Sequence, residues 1–166
     1  MHDSKHPRPK IAQGRPVLVP QAPVVFAGFR EVLWLTADGE IAALDRAEAR
    51  RRIERAMPMV CHVRATARRL DAPLFPALDL LELFAFVHPA RFCVPTPRGL
   101  AEALGLTPPH GAADCCVTLL AAARALLERL AEETDIEARA VAAVMAEAGW
   151  PWGPAVLAAL PEAAPE

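Results

Sequence analysis

The chain has 166 residues, 54% of them apolar and 23% charged, with a formal net charge of −2. That is enough for one domain with its own core. No apolar run is long enough to span a bilayer, and the polar start MHDSKHPRPK has no hydrophobic stretch behind it, so a soluble cytoplasmic protein with no membrane partner is expected.

The charge is unevenly spread. Residues 1–69 hold 13 Lys and Arg against 7 acids, and residues 70–166 hold 5 against 13. A basic half can mark a face for nucleic acid or an acidic partner. Mutual attraction of the two halves within the fold is the simpler account, because the pI of 6.2 is far from strongly basic. The four cysteines lack paired spacing, two of them being adjacent (Cys115, Cys116), and are expected to be reduced core thiols.

Residues 1–23 are rich in proline and basic residues without periodicity, which predicts a flexible or extended lead-in. Val24 to Leu44 is expected to form a β-hairpin. Glu31 to Thr36 is its first strand, Asp38-Gly39 its turn, and Ile41 to Leu44 the return. Asp45 then caps a helix over 46–56, with Glu48 as its capping-box partner. That helix carries Arg50, Arg51, Arg52 and Arg55, either a solvated face or a binding surface. Met57 to Cys61 is a short buried strand ending at His62, and Ala65 to Leu70 a further helix.

Asp79 and Glu82 form a capping box for a helix whose buried stripe is Leu80, Leu83, Phe84 and Val87, stopped by Pro89. Thr96 caps the next helix, Pro97 opens it and Gly105 closes it. A long helix follows over 112–133, with Val117, Leu120, Ala121, Arg124, Leu127 and Leu130 as its expected stripe. Another, capped by Thr134 or Asp135, spans 136–148 and ends at Gly149. The turn Trp150-Pro151-Trp152 leads into a last helical piece. It could dock a protein partner or stack a base, although packing on the domain's own helices is the plainer expectation. Residues 161–166 are expected to be a frayed tail.

The stretch LDLLELFAFVHPARFCVPTPRGLAEALGL resembles the N-terminal region of DinG-type bacterial ATP-dependent DNA helicases, where a degenerate DnaQ-like (DEDDh) exonuclease domain precedes the motor. The resemblance covers roughly Pro23 to Leu160 and is strongest from Val60 to Leu106. It implies an α/β fold over 24–160: a reduced RNase H-like, exonuclease-like domain with a small mixed sheet covered by helices. A mostly helical domain with one hairpin is the alternative, since only three strands are evident.

An exonuclease of that family holds two divalent metal ions with four carboxylates, because hard cations want oxygen ligands and negative charge, and uses a histidine as general base. The family places Asp-x-Glu on its first strand, an aspartate after His-Asn-Ala, and a histidine followed by an aspartate entering the last helix. Here the strand Val32 to Leu35 has no carboxylate, and Asp38-Gly39-Glu40 is better explained as a turn. Val63 replaces the asparagine and Ala67 the second aspartate. His110 and Asp114 resemble the last motif at a spacing one residue short, and are either a remnant or a turn residue and a helix-start acid.

The resemblance therefore implies a non-catalytic accessory domain that contacts DNA or positions the helicase motor, in cis or in trans. Arg50, Arg51, Arg55, Arg64, Arg68 and Arg69 are its candidate nucleic-acid surface. No cofactor is expected in this chain. It has no Gly-x-x-x-x-Gly-Lys loop, and its only lysines are Lys5 and Lys10, so ATP chemistry would belong to the motor. An active 3′–5′ exonuclease using Asp38, Glu40, Asp114 and His110 with Mg²⁺ is the first alternative. A protein-interaction module working through the Trp150–Trp152 turn is the second. No Cys-x-x-Cys or paired His spacing points to zinc, and no metal site is expected.

Overall fold

The computed structural model describes residues 16–162. Five short strands form one open mixed sheet: β1 (Val24–Ala27), β2 (Val32–Leu35), β3 (Ile41–Leu44), β4 (Met59–Val60) and β5 (Leu78–Asp79). Their order is β3-β2-β1-β4-β5. Neighbours among β1, β2 and β3 pair antiparallel, while β4 lies parallel to β1 and β5 parallel to β4. Seven helices complete the described residues: α1 (Arg46–Ile53), α2 (Val63–Leu70), α3 (Leu80–Val87), α4 (Pro97–Leu104), α5 (Ala112–Ala131), α6 (Ile136–Glu147) and α7 (Gly153–Ala159). The chain is thus an α/β domain with a small mixed sheet.

The sheet separates two apolar cores. Val24, Leu33, Leu35 and Met59 face a large cluster built with α3, α5 and α7. Their chain neighbours Val25, Val32, Trp34 and Val60 face a smaller one that includes Ala49 and Ile53 of α1 and Leu70 of α2. This is the two-residue alternation of a strand with both faces covered, and it explains why every residue of β2 is buried.

Several expectations need correction. The hairpin's first strand is not the first strand of the sheet. Val24–Ala27 precedes it and occupies the centre, paired to β2 on one side and β4 on the other. Of the lead-in predicted to be flexible or extended, residues 16–23 form no helix or strand, and Val17, Val19 and Ala22 pack against the larger core. Residues 1–15 and 163–166 lie outside the described residues. The α1 helix ends at Ile53 rather than Ala56. The buried side of α5 is Cys116, Leu119, Ala122, Ala123, Leu126, Leu127 and Leu130, and Val117 is exposed. An alanine-rich helix has an ambiguous apolar phase, and contact with the sheet selects it.

The helix ends were legible. Asp45 accepts a bond from the Glu48 amide, Thr96 from the Gly99 amide and Asp135 from the Glu137 amide, while Gly105 closes α4 in the left-handed region at φ 67°. Trp152 is fully buried, and Trp150 packs on Phe86 with ring centroids 5.2 Å apart. The tryptophan turn is therefore spent on the domain's own core, which removes Trp152 from any partner surface. Among the described residues, no helix is long and apolar enough to cross a membrane.

Candidate functional site

Because β1, β4 and β5 are parallel, their carboxyl ends share one edge of the sheet. The chain leaves β1 towards β2 on one side, and β4 lies on the other, so a crevice is expected there. An open cleft of about 650 Å³ occupies this position, with walls from the β1–β2 turn, Arg69 of α2, the start of α4 and the segment entering α5. A smaller cavity of about 60 Å³ adjoins it beneath His62 and Thr66.

Two arginines in the cleft are fixed by backbone carbonyls. Arg69 Nη1 donates to the Ala27 carbonyl at the end of β1 at 2.8 Å, and its guanidinium carbon lies 4.5 Å from the centroid of the Phe29 ring. Arg98 Nη2 donates to the Pro109 carbonyl at 3.0 Å. Phe29 is 85% exposed, an unusual position for a large apolar ring. Arg30, Glu31 and His110 complete the charged and polar lining.

The predicted arginines do not form one surface. Arg50 is turned inward, its Nη1 donating to the Leu70 carbonyl at 2.9 Å and so tying α1 to the end of α2. Arg51 pairs with Glu48 at 2.7 Å, as Arg52 does at 3.0 Å. These two arginines hold the Glu48 carboxyl below its ordinary range. Arg55, Arg64 and Arg68 are exposed, and of the predicted set only Arg69 reaches the cleft. Among the described residues, no Arg of residues 16–69 forms an ion pair with an acid of the later half.

The carboxylates of the exonuclease alternative are not brought together. Asp38 and Glu40 lie in the β2–β3 turn, and since β2 runs antiparallel to β1 this turn is at the opposite end of the sheet from the cleft. The β1 strand reads Val-Val-Phe-Ala and offers no carboxylate. Asp114 accepts the His110 amide at 3.0 Å, a local bond at the start of α5. Among the described residues, no group of three or more His, Cys, Asp or Glu is arranged to hold a metal ion. This donor set does not fit two Mg²⁺ ions.

A polar hub was missed in part by sequence reasoning, which assigned Asp79 only a cap. Asp79 is almost completely buried. Its Oδ1 accepts the amides of Leu81 at 2.9 Å and Glu82 at 3.3 Å, while Oδ2 accepts the Val63 amide at 2.8 Å and lies 3.3 Å from His62 Nδ1. One carboxylate thus joins the starts of α2 and α3. The Cys61 thiol beside it is pushed up to about 12 by burial, with the Asp79 charge adding to the effect, and Cys116 is pushed up to about 12 chiefly by burial. Burial thus disfavours the thiolate form of both.

The signal that could have located the cleft was Gly28 directly after the apolar run Val24–Ala27. It marks the end of a strand, and the residues after it, Phe29 and Arg30, then stand at the sheet's carboxyl edge. No family model matches the chain, and comparison with curated proteins and with solved structures finds no match.

Proposed function

We propose that this chain is a non-catalytic accessory domain of a DinG-type ATP-dependent DNA helicase, built on an RNase H-like, exonuclease-like scaffold, that contacts nucleic acid for a motor supplied in cis or in trans. The sheet order β3-β2-β1-β4-β5, with β2 alone running against the rest, supports the scaffold. The observation that carries the function is the chemistry of the carboxyl edge. Where a two-metal nuclease needs converging carboxylates, this cleft presents Arg69, Arg98 and an exposed Phe29. Arginine and an aromatic ring suit the phosphates and bases of an unpaired strand and repel a metal cation. Arg64 and Arg68 on α2 are exposed and form no ion pair among the described residues.

The test is a 3′-labelled single-stranded oligonucleotide incubated with the protein and Mn²⁺, with a gel shift on the same substrate. The expected result is a shifted, intact strand. Cleavage that disappears in Asp114→Ala would establish a nuclease and overturn the proposal. Absence of both binding and cleavage would move the function to protein contact through another surface, since Trp152 is inside.

A further inference from the structure

We infer that the cleft holds one unpaired nucleotide, its base laid on the Phe29 ring and its phosphate on Arg98, with Arg69 fixing the ring from behind. This rests on the nucleic-acid reading above and assigns it to particular side chains.

The physical case begins with Phe29. A phenylalanine left 85% exposed loses the burial worth about 1.5–3 kcal/mol that such a side chain gains inside a core. It sits at the tip of the β1–β2 connection, one residue after Gly28. The Gly28 amide donates to the Glu31 carbonyl at 2.9 Å, closing the turn. A Cβ at Gly28 would come within 3.1 Å of that same carbonyl oxygen and 3.2 Å of the Phe26 ring, so glycine is suited to this tight turn. The ring is therefore presented by a constrained turn. One side of it carries the Arg69 guanidinium, itself anchored on the Ala27 carbonyl. An anchored arginine on one face orients the aromatic and leaves the other face for a second planar group.

The rest of the cleft supplies what a nucleotide needs. Pro97 and Pro109 give rigid apolar walls for a base or sugar. Arg98 is held through Nη2 on the Pro109 carbonyl, which leaves its other guanidinium nitrogens to bind phosphate oxygens. Arg30 adds a further positive charge at the rim. The volume of about 650 Å³ falls within the range of small-ligand sites. A paired base cannot lay its face on Phe29 without leaving its stack, so the site selects unpaired nucleotides.

Two sources share this chemistry: a single strand and a free nucleoside monophosphate. The experiment uses the full chain and follows fluorescence anisotropy of a short labelled oligo-dT, its duplex with oligo-dA, and competition by free dTMP. Phe29→Ala is expected to weaken the single-strand complex about tenfold, Phe29→Trp to restore it, and Arg98→Ala to weaken it and reduce its salt dependence. The exposed position of Phe29 makes an unchanged thermal midpoint the expected control result.

Single-strand binding that is stronger than duplex binding and follows this variant pattern upholds the inference. Competition by dTMP at the affinity of the strand itself, lost in Phe29→Ala, upholds the site but assigns it to free nucleotides. Strand binding untouched by Phe29→Ala and Arg98→Ala overturns the inference while leaving the accessory-domain function intact. Absence of binding by every probe overturns both.

Discussion

The indole Nε1–H of Trp152 donates to the backbone carbonyl of Asp79 at 2.7 Å, across 73 residues of sequence. The same aspartate's side chain joins the starts of α2 and α3. Strand β5, helix α3 and the turn into α7 therefore meet at one residue. Trp152→Phe is expected to cost about 1–3 kcal/mol, since it keeps most of the packing but leaves the carbonyl without its indole donor. Trp152→Ala should cost about 3–5 kcal/mol, because it also opens a cavity. Urea denaturation monitored by circular dichroism gives both values, and an undiminished stability of Trp152→Phe would show that the hydrogen bond contributes nothing.

Asp79→Ala removes the cap of α3 and leaves the Val63 amide without its acceptor. The expected loss is about 2–4 kcal/mol, the sum of a lost cap and an orphaned donor. Asp79→Asn should recover part of this, because one side-chain oxygen can still accept from the α3 amides. Variants more stable than the parent would show that burying the carboxylate outweighs its hydrogen bonds.

Glu82 lies between the Trp150 indole, which donates to it at 3.1 Å, and the Asp79 charge. Burial first, and the Asp79 charge second, raise its pKa above the ordinary 4.5. An acid whose folded pKa is raised binds its proton more tightly in the folded state. Its favourable contribution is therefore present below pH 4.5 and is lost as pH rises through the folded value. Glu82→Gln keeps an oxygen acceptor for the indole and removes this titration. The variant should gain in Tm relative to the parent as pH rises from 4.5 towards neutrality, and a constant difference in Tm would refute the assignment.

The four cysteines are expected to divide by burial. Cys61 and Cys116 are buried, with thiols pushed up to about 12, whereas Cys93 and Cys115 are half-buried. Ellman's reagent at mildly alkaline pH should titrate two thiols in the folded protein and all four in urea. Rapid reaction of all four without denaturant would place Cys61 or Cys116 at an open surface.

Gly99 marks a close approach. A Cβ at this position would strike the Val94 carbonyl and side chain. Gly99→Ala is expected to cost about 1–3 kcal/mol by overpacking, although alanine is the better helix former. Thr96→Ala, which removes the cap that binds the Gly99 amide at 3.0 Å, should cost about 1 kcal/mol. A stabilised Gly99→Ala variant would show that the segment at Val94 yields freely.

The sequence by itself determined the helix starts at Asp45, Asp79 and Thr96 and the close of α4 at Gly105. Each is a hydrogen bond or a dihedral requirement within two to four residues, so local chemistry specifies it completely. It also marked strands at the apolar, β-favouring runs 31–36 and 57–61 among helices of period 3.6, while a mostly helical domain with one hairpin stayed open. Tertiary structure decided what depends on distant partners. Val24–Ala27 is a central strand only because β2 and β4 flank it, and β5 is two residues long and exists only by pairing with β4. The face of α5 that turns inward was set by the sheet. The candidate site is the clearest case, because six arginines were legible as a cluster but their fates were not. Arg50 found a carbonyl on α2, Arg51 a carboxylate on its own helix, and Arg69 a carbonyl and a ring some forty residues upstream. An arginine's partner is set by which backbone ends the folded sheet brings within reach of its side chain, and no spacing along the chain encodes that.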